Sequence, residues 1–213
     1  DVQISIFGLP TISNAGPDQD LCNVNNIILS ANIPVTGTGT WTMLSGPNTP
    51  TITTPSNPAS TVTGMIAGVY IFRWTIPNGA CTPSTDDVQI TIYATPTVSI
   101  AGPDQNLCNV TTTVLSGNSP TAGTGNWTFI SGPNVPTIVA PGNANVSING
   151  MIAGVYVFRW TISNGVCASS TDDVQVTIYA LPTVANAGPD QNICNVNSTS
   201  FAGNNPVIGN GNW

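Results

Sequence analysis

Five cysteines are the residues of this sequence with the most specific chemistry. Four of them form two pairs with the same spacing of 59 positions, Cys22 with Cys81 and Cys108 with Cys167, and Cys194 is the fifth. Two cysteines that recur with a repeating unit are typical of one disulfide per unit in an oxidising compartment. Closing a loop of about 60 residues would contribute roughly 4 kcal/mol. We therefore predict one disulfide inside each unit, with a Cys81–Cys108 bond as the alternative; the partner of Cys194 would lie beyond this sequence.

Metal binding and nucleophilic catalysis are both poorly supported by these residues. The sequence has no histidine and no CxxC spacing, so neither a zinc site nor an activated catalytic thiol is indicated. The weak candidates for a calcium site are the pairs Asp86-Asp87 and Asp172-Asp173. No DxDxDG-like run surrounds them, so we favour a structural role at the start of a strand. We predict no catalytic residue and no cofactor, and hence no enzyme.

Two arginines, Arg73 and Arg159, are the only cationic side chains. We expect each of them to pair across the strands with Asp87, Asp173 or backbone carbonyls, and the alternative is that they anchor an acidic glycan. Asp18, within Gly-Pro-Asp-Gln, is expected to accept a local hydrogen bond in a turn.

Charge and composition exclude several classes of protein. The net charge is −7, and two arginines cannot neutralise the phosphates of a nucleic acid or an anionic membrane surface. No run of 18 apolar residues predicts a membrane span. Lysine and glutamate are absent, whereas Thr, Val, Ile, Gly, Pro and Asn are abundant. This composition indicates an all-β fold.

An 86-residue repeat organises the whole sequence. The motif Ala-Gly-Pro-Asp-Gln occurs at 15–19, 101–105 and 187–191, and 55 of 86 positions are identical between residues 15–100 and 101–186. This period fits one small β-sandwich per repeat. We predict two repeats at 10–95 and 96–181, the last strand of a preceding repeat at 1–9, and the first strands of a following, truncated repeat at 182–213.

Alternating apolar residues predict the strands that must position these groups. In 69–76 the aromatic residues fall on one face and Arg73 on the other, and Asn78-Gly79 marks a turn to the closing strand at 87–93. About seven such strands predict two packed antiparallel sheets in each repeat. The predicted aromatic core comprises Trp41, Tyr70, Phe72, Trp74, Trp127, Tyr156, Phe158 and Trp160.

Several of these segments carry a family resemblance. The stretch 64–72, the Asn78-Gly79 turn and the strand 87–93 resemble the second half of a PKD (polycystic kidney disease) domain, and 14–19 is similar to its first strand. The whole repeat resembles PKD-like tandem repeats of very large surface proteins from gliding bacteria that use type IX secretion. The PKD signature Trp-Asp-Phe-Gly-Asp-Gly is replaced here by residues 41–47, so no ligand site is carried over. The resemblance implies cell-surface adhesion or fibre formation.

These observations together predict a structural and adhesive stalk of a secreted or cell-surface protein. The short connection Ala94-Thr95-Pro96 favours a stiff joint between neighbouring repeats of the chain, and stiff joints in series would make a rigid spacer. Two alternatives are a carbohydrate-binding module of a secreted polysaccharide-degrading enzyme and a subunit that self-assembles into a fibre or surface layer. The predicted partners are neighbouring repeats, with other copies of the chain or surface glycans as further possibilities.

Overall fold

The computed structural model describes residues 1–213 and contains fourteen β-strands and no helix. Seven strands belong to each complete repeat, which confirms the predicted all-β, tandem sandwich architecture. In the first repeat they are β1 (Gln19–Cys22), β2 (Asn26–Ile28), β3 (Thr40–Ser45), β4 (Thr51–Ile52), β5 (Thr61–Thr63), β6 (Gly68–Asn78) and β7 (Cys81–Tyr93). In the second they are β8 (Gln105–Cys108), β9 (Thr112–Ser116), β10 (Thr124–Ser131), β11 (Thr137–Val139), β12 (Asn145–Asn149), β13 (Gly154–Ser163) and β14 (Ser170–Tyr179).

Each repeat has one four-stranded and one three-stranded sheet. The strand orders are β1-β7-β6-β3 and β2-β5-β4 in the first repeat, and β8-β14-β13-β10 and β9-β12-β11 in the second. One detail differs from the expected antiparallel sheets, because β1 runs parallel to β7 and β8 runs parallel to β14. A parallel pair needs a long connection between its two strands. Here the other five strands of the repeat supply it.

The core of each sandwich is built on the predicted alternation. Tyr70, Phe72, Trp74 and Ile76 on one face of β6 are all 0% exposed, and the ring of Trp41 from β3 lies 5.1 Å from that of Trp74. All eight predicted core aromatics are at most 2% exposed. Burying such large apolar side chains is the main stabilising contribution in a domain of this size.

The Ala-Gly-Pro-Asp-Gln motif attaches the start of each repeat to its last strand. The Ala15 amide donates to Asp86 (2.7 Å), and Asp18 accepts from the Gln89 amide (2.8 Å). Both pairs have the same offset of 71 residues as the Gln19–Ile90 pair that opens the β1–β7 ladder. Side chains therefore extend the parallel pairing beyond the strand itself. The local turn bond expected for Asp18 is wrong, because its carboxylate bridges to the neighbouring strand.

The chain divides into two compact units. Unit 1 comprises 1–98, 120–125 and 162–170, and unit 2 comprises 99–119, 126–161 and 171–213. Unit 1 therefore contains the first repeat together with two segments of the second, each a loop with the adjoining strand ends. The predicted domain ranges 10–95 and 96–181 stay predictions. No helix in the structure has the length and apolar character that a membrane crossing would require.

Candidate functional site

One disulfide joins the two repeats, and it is not the predicted one. Cys22 is bonded to Cys167, 145 residues further along the chain, with 5.0 Å between their Cα atoms. Cys81, Cys108 and Cys194 are free thiols. The predicted Cys22–Cys81 and Cys108–Cys167 pairings are therefore wrong, and the alternative Cys81–Cys108 bond does not form either.

The register of β1 on β7 explains why a bond within the repeat cannot form. Cys22 pairs with Tyr93, the last residue of β7, whereas Cys81 is its first residue. Twelve residue steps at about 3.4 Å put roughly 40 Å between these two ends. A disulfide needs Cα atoms less than about 7 Å apart. The parallel pairing of first and last strands thus carries the first cysteine of a repeat away from the second.

Six residues of unit 1 build the surroundings of the bond, and we call them the disulfide cluster: Cys22, Tyr93, Ala94, Asn164, Gly165 and Cys167. The amide that follows Cys22, on Asn23, donates to the Tyr93 carbonyl (2.8 Å). The side-chain amide of Asn164 donates to the Ala94 carbonyl (2.8 Å).

Gly165 gives the turn of the disulfide cluster its shape. Its φ is +53°, and a Cβ atom at this position would lie 2.3 Å from the Tyr93 ring. The ring can therefore lie directly on the turn only because position 165 has no side chain. The Asn-Gly dipeptide signals the turn in the sequence, but the aromatic residue that covers it follows from no sequence pattern.

The aspartate pairs bind protein donors. Asp86 accepts from the Ala15 amide and Asp172 from the Ala101 amide, each at 2.7 Å. Adjacent residues of a strand point to opposite faces, so Asp87 and Asp173 face the arginines on the other side. No group of three or more Cys and Asp side chains lies together as a set of metal ligands. The two repeats of the sequence show that these carboxylates recur. Their hydrogen-bond partners could be identified only from the strand register.

The cross-strand ion pairs follow the favoured interpretation. Arg73 donates from Nε and Nη2 to the two oxygens of Asp87, at 2.7 and 2.8 Å, and the two residues are directly opposite in the β6–β7 ladder. Arg159 and Asp173 repeat this geometry. The hydrogen bond from Arg73 lowers the pKa of Asp87 and raises that of the guanidinium. The Arg73 and Asp87 side chains are each 39% exposed, so solvent screens the pair and its contribution to stability is small.

The buried tryptophans offer no stacking platform in the complete repeats. Trp41 and Trp127 donate from their indole nitrogens to the carbonyls of Pro58 (3.1 Å) and Ala144 (3.0 Å) inside the sandwiches. Trp213 and Phe201 are exposed, yet they occupy the repeat positions of Trp127 and Leu115, which are both buried. Their exposure therefore does not mark a row of sugar-binding aromatics.

The paired sheets, the parallel first and last strands and the aromatic core define a tandem immunoglobulin-like β-sandwich protein. The family model of the K319L-like PKD domain matches residues 15–92 and again 101–178. These two matches cover more than half of the sequence, so the chain belongs to the K319L-like PKD domain family. No curated protein matches this sequence.

Solved structures with similar folds are immunoglobulin-like. The five-domain structure of Sidekick-1 is 13% identical with a TM-score of 0.57, over 87% of this chain and 42% of that chain. Murine CEACAM1b is 16% identical with a TM-score of 0.50, over 75% of this chain and 95% of that chain. The PKD domain from KIAA 1837 protein is 23% identical with a TM-score of 0.35, over 44% and 92%. This chain spans about half or less of the Sidekick-1 structures, and such identities show the fold alone.

Proposed function

We propose that the chain is a non-enzymatic, load-bearing spacer in the stalk of an extracellular or cell-surface adhesin. The observation that carries this proposal is the disulfide that connects Cys22 of one repeat to Cys167 of the next. A protein with such a bond is made for an oxidising compartment, and domains of this fold class are typical of extracellular proteins. The origin in gliding bacteria with type IX secretion stays a prediction.

The covalent path through the disulfide explains why it suits a spacer. Tension applied to the two ends of the chain passes across the Cys22–Cys167 bond, so the 145-residue loop between the two cysteines bears none of the extension. Fully extended, such a loop would add about 500 Å to the chain at roughly 3.5 Å per residue. The bond therefore keeps the length of the spacer nearly constant even when a sandwich unfolds.

The similarity of the two repeats, which are identical at 55 of 86 positions, supports the same role. The disulfide cluster, the ion pairs and the motif contacts use main-chain groups and side chains that both repeats share, and none of them forms a unique cleft. A spacer needs uniform units, whereas a receptor or an enzyme needs one distinctive site. Adhesion itself, in this proposal, is a property of other parts of the protein.

Single-molecule pulling on residues 1 and 213 tests the proposal. We expect reduction of the disulfide to add about 500 Å of extension, and the Cys22→Ser variant to show this extra length without reductant. The matched variant Cys81→Ser should behave as the unmodified chain does. Equal extensions with and without reductant would contradict a load-bearing role, and a gain near 400 Å would indicate two bonds within the repeats.

A further inference from the structure

We propose that Cys81 is one half of a second disulfide cluster, whose other half is the first cysteine of a preceding repeat of the same chain. The disulfide would then recur at every junction, from the first cysteine of each repeat to the second cysteine of the next. This inference does not depend on the stalk function, because it concerns the covalent structure of any longer array of these repeats.

Contacts around Cys81 reproduce those around Cys167. The Cys81 sulfur lies 3.6 Å from the Phe7 carbonyl and 3.2 Å from that of Gly8. The corresponding distances from Cys167 are 3.7 Å to Tyr93 and 3.5 Å to Ala94. Cys81 is therefore held in the position that bonds to a first cysteine in the disulfide cluster.

The neighbouring turn is also the same. Asn78 donates from its side chain to the Gly8 carbonyl (2.9 Å), as Asn164 does to Ala94 (2.8 Å). A Cβ atom on Gly79 would lie 2.2 Å from the Phe7 ring, as one on Gly165 would from Tyr93. Five residues, namely Phe7, Gly8, Asn78, Gly79 and Cys81, thus match five of the six residues of the disulfide cluster. The sixth is the first cysteine.

The apolar face of residues 1–7 indicates what supplies that cysteine. Val2, Ile4 and Ile6 are 81–93% exposed, whereas the same repeat positions in β7, Val88, Ile90 and Ile92, are 3% exposed or less. Val2, Ile4 and Ile6 therefore fit the core of a sandwich whose other six strands are supplied by a preceding repeat of the same chain. The first strand of such a repeat ends in a cysteine beside the aromatic residue, as Cys22 does beside Tyr93.

Cys108 occupies the position of the first cysteine in a further disulfide cluster. It pairs with Tyr179 at the end of β14, and the Asn109 amide donates to the Tyr179 carbonyl (2.8 Å), as Asn23 does to Tyr93. Its sulfur is free and exposed. If the first cysteine of each repeat bonds to the second cysteine of the next, the partner of Cys108 is the second cysteine of a following repeat.

Formation of each bond is a two-electron oxidation. One thiolate attacks a disulfide donor, such as an oxidised thiol–disulfide oxidoreductase of the secretory compartment, and forms a mixed disulfide. The second cysteine then displaces the donor sulfur. Two thiols are converted to one disulfide, and the donor leaves as a dithiol with the two electrons and two protons.

Overlap of the loops gives the array a property that one bond per repeat would not provide. A 145-residue loop that begins every 86 residues overlaps the next loop, so every peptide bond in the interior of the array is spanned by at least one disulfide. With bonds inside each repeat, the segment between Cys81 and Cys108 would be spanned by none. A single cut at Ala94-Thr95-Pro96 would then separate the array, whereas the overlapping loops hold it together.

A chain lengthened by one repeat tests the proposal. A copy of residues 1–86 placed before Asp1 continues the repeat register and puts an added Cys22 at 145 residues before Cys81. Free thiols are alkylated under denaturing conditions and the unreduced chain is digested with trypsin, which cuts only after the arginines. Four fragments result, and we expect the first to be linked to the third and the second to the fourth.

Matched variants and a folding check separate the outcomes. The original 213 residues keep their numbers in the lengthened chain. Replacing the original cysteine in Cys81→Ser should abolish only the first-to-third link, whereas Cys108→Ser should leave both links in place. Near-UV circular dichroism establishes that the lengthened chain is folded, and protein isolated from the cells that make it should show the same alternate linkage. Links between adjacent fragments, an alkylated Cys81 in the folded lengthened chain, or disulfide-linked dimers would each overturn the proposal.

Discussion

Removal of single cysteines separates the observed bond from the pairing that the sequence favoured. In the structure Cys22 and Cys167 form the only disulfide, whereas Cys81 and Cys108 carry free thiols. Closing a 145-residue loop lowers the entropy of the unfolded chain. This raises the free energy of unfolding by up to about 5 kcal/mol. Cys22→Ser and Cys167→Ser should therefore lose the same stability, while Cys81→Ser and Cys108→Ser should lose almost none.

Urea unfolding, monitored by tryptophan fluorescence in the absence of reductant, measures this difference. The free energy of unfolding should fall by several kcal/mol in the first two variants, and their double variant should lose no more than either alone because both changes break one bond. Reductant should bring the unmodified chain to the same stability. A comparable loss in Cys81→Ser would refute the reasoning, since it would place Cys81 in a bond of its own.

Two further predictions concern the core and the exposed ion pairs. A Cβ atom on Gly117 would lie 3.0 Å from the Trp160 ring, so Gly117→Ala should disturb the hydrogen bond from Trp160 to Asn118 (3.2 Å). We expect the free energy of unfolding in urea to fall by about 1–2 kcal/mol. An unchanged midpoint would contradict this. The Arg73 hydrogen bond lowers the pKa of Asp87 in the folded state, so its small contribution is present at neutral pH and is lost as the pH falls through that lowered pKa. Arg73→Gln should therefore flatten the acid dependence of the urea midpoint, and an unaltered pH profile would count against the pair.

The sequence predicted those features that depend on local pattern. Alternation in 69–76 placed Tyr70, Phe72 and Trp74 in the core, because side chains of a strand alternate between its faces. Asn78-Gly79 marked the turn correctly, since Gly79 has a φ of +57°. The opposition of Arg73 and Asp87 also followed from strand order and charge.

The features that depend on strand register could not be predicted from the sequence. Cysteine spacing is compatible with several connectivities, and the choice between them required the parallel pairing of β1 with β7. The partner of Asp18 lies 71 residues away on β7 for the same reason. Trp74 shows a subtler limit: its buried indole nitrogen has no hydrogen-bond partner, whereas Trp160 donates to Asn118, and the first repeat has Ala31 where the second has Gly117.

Tryptic mapping of the unreduced 213-residue chain tests the bond between repeats most directly. Its two arginines divide the chain into fragments 1–73, 74–159 and 160–213. The Cys22–Cys167 bond, the two pairs within the repeats and the Cys81–Cys108 bond each give a different product. The Cys22–Cys167 bond links the first fragment to the third and leaves the middle fragment free with two alkylated thiols. A product in which the middle fragment is bonded to either of the others would contradict it.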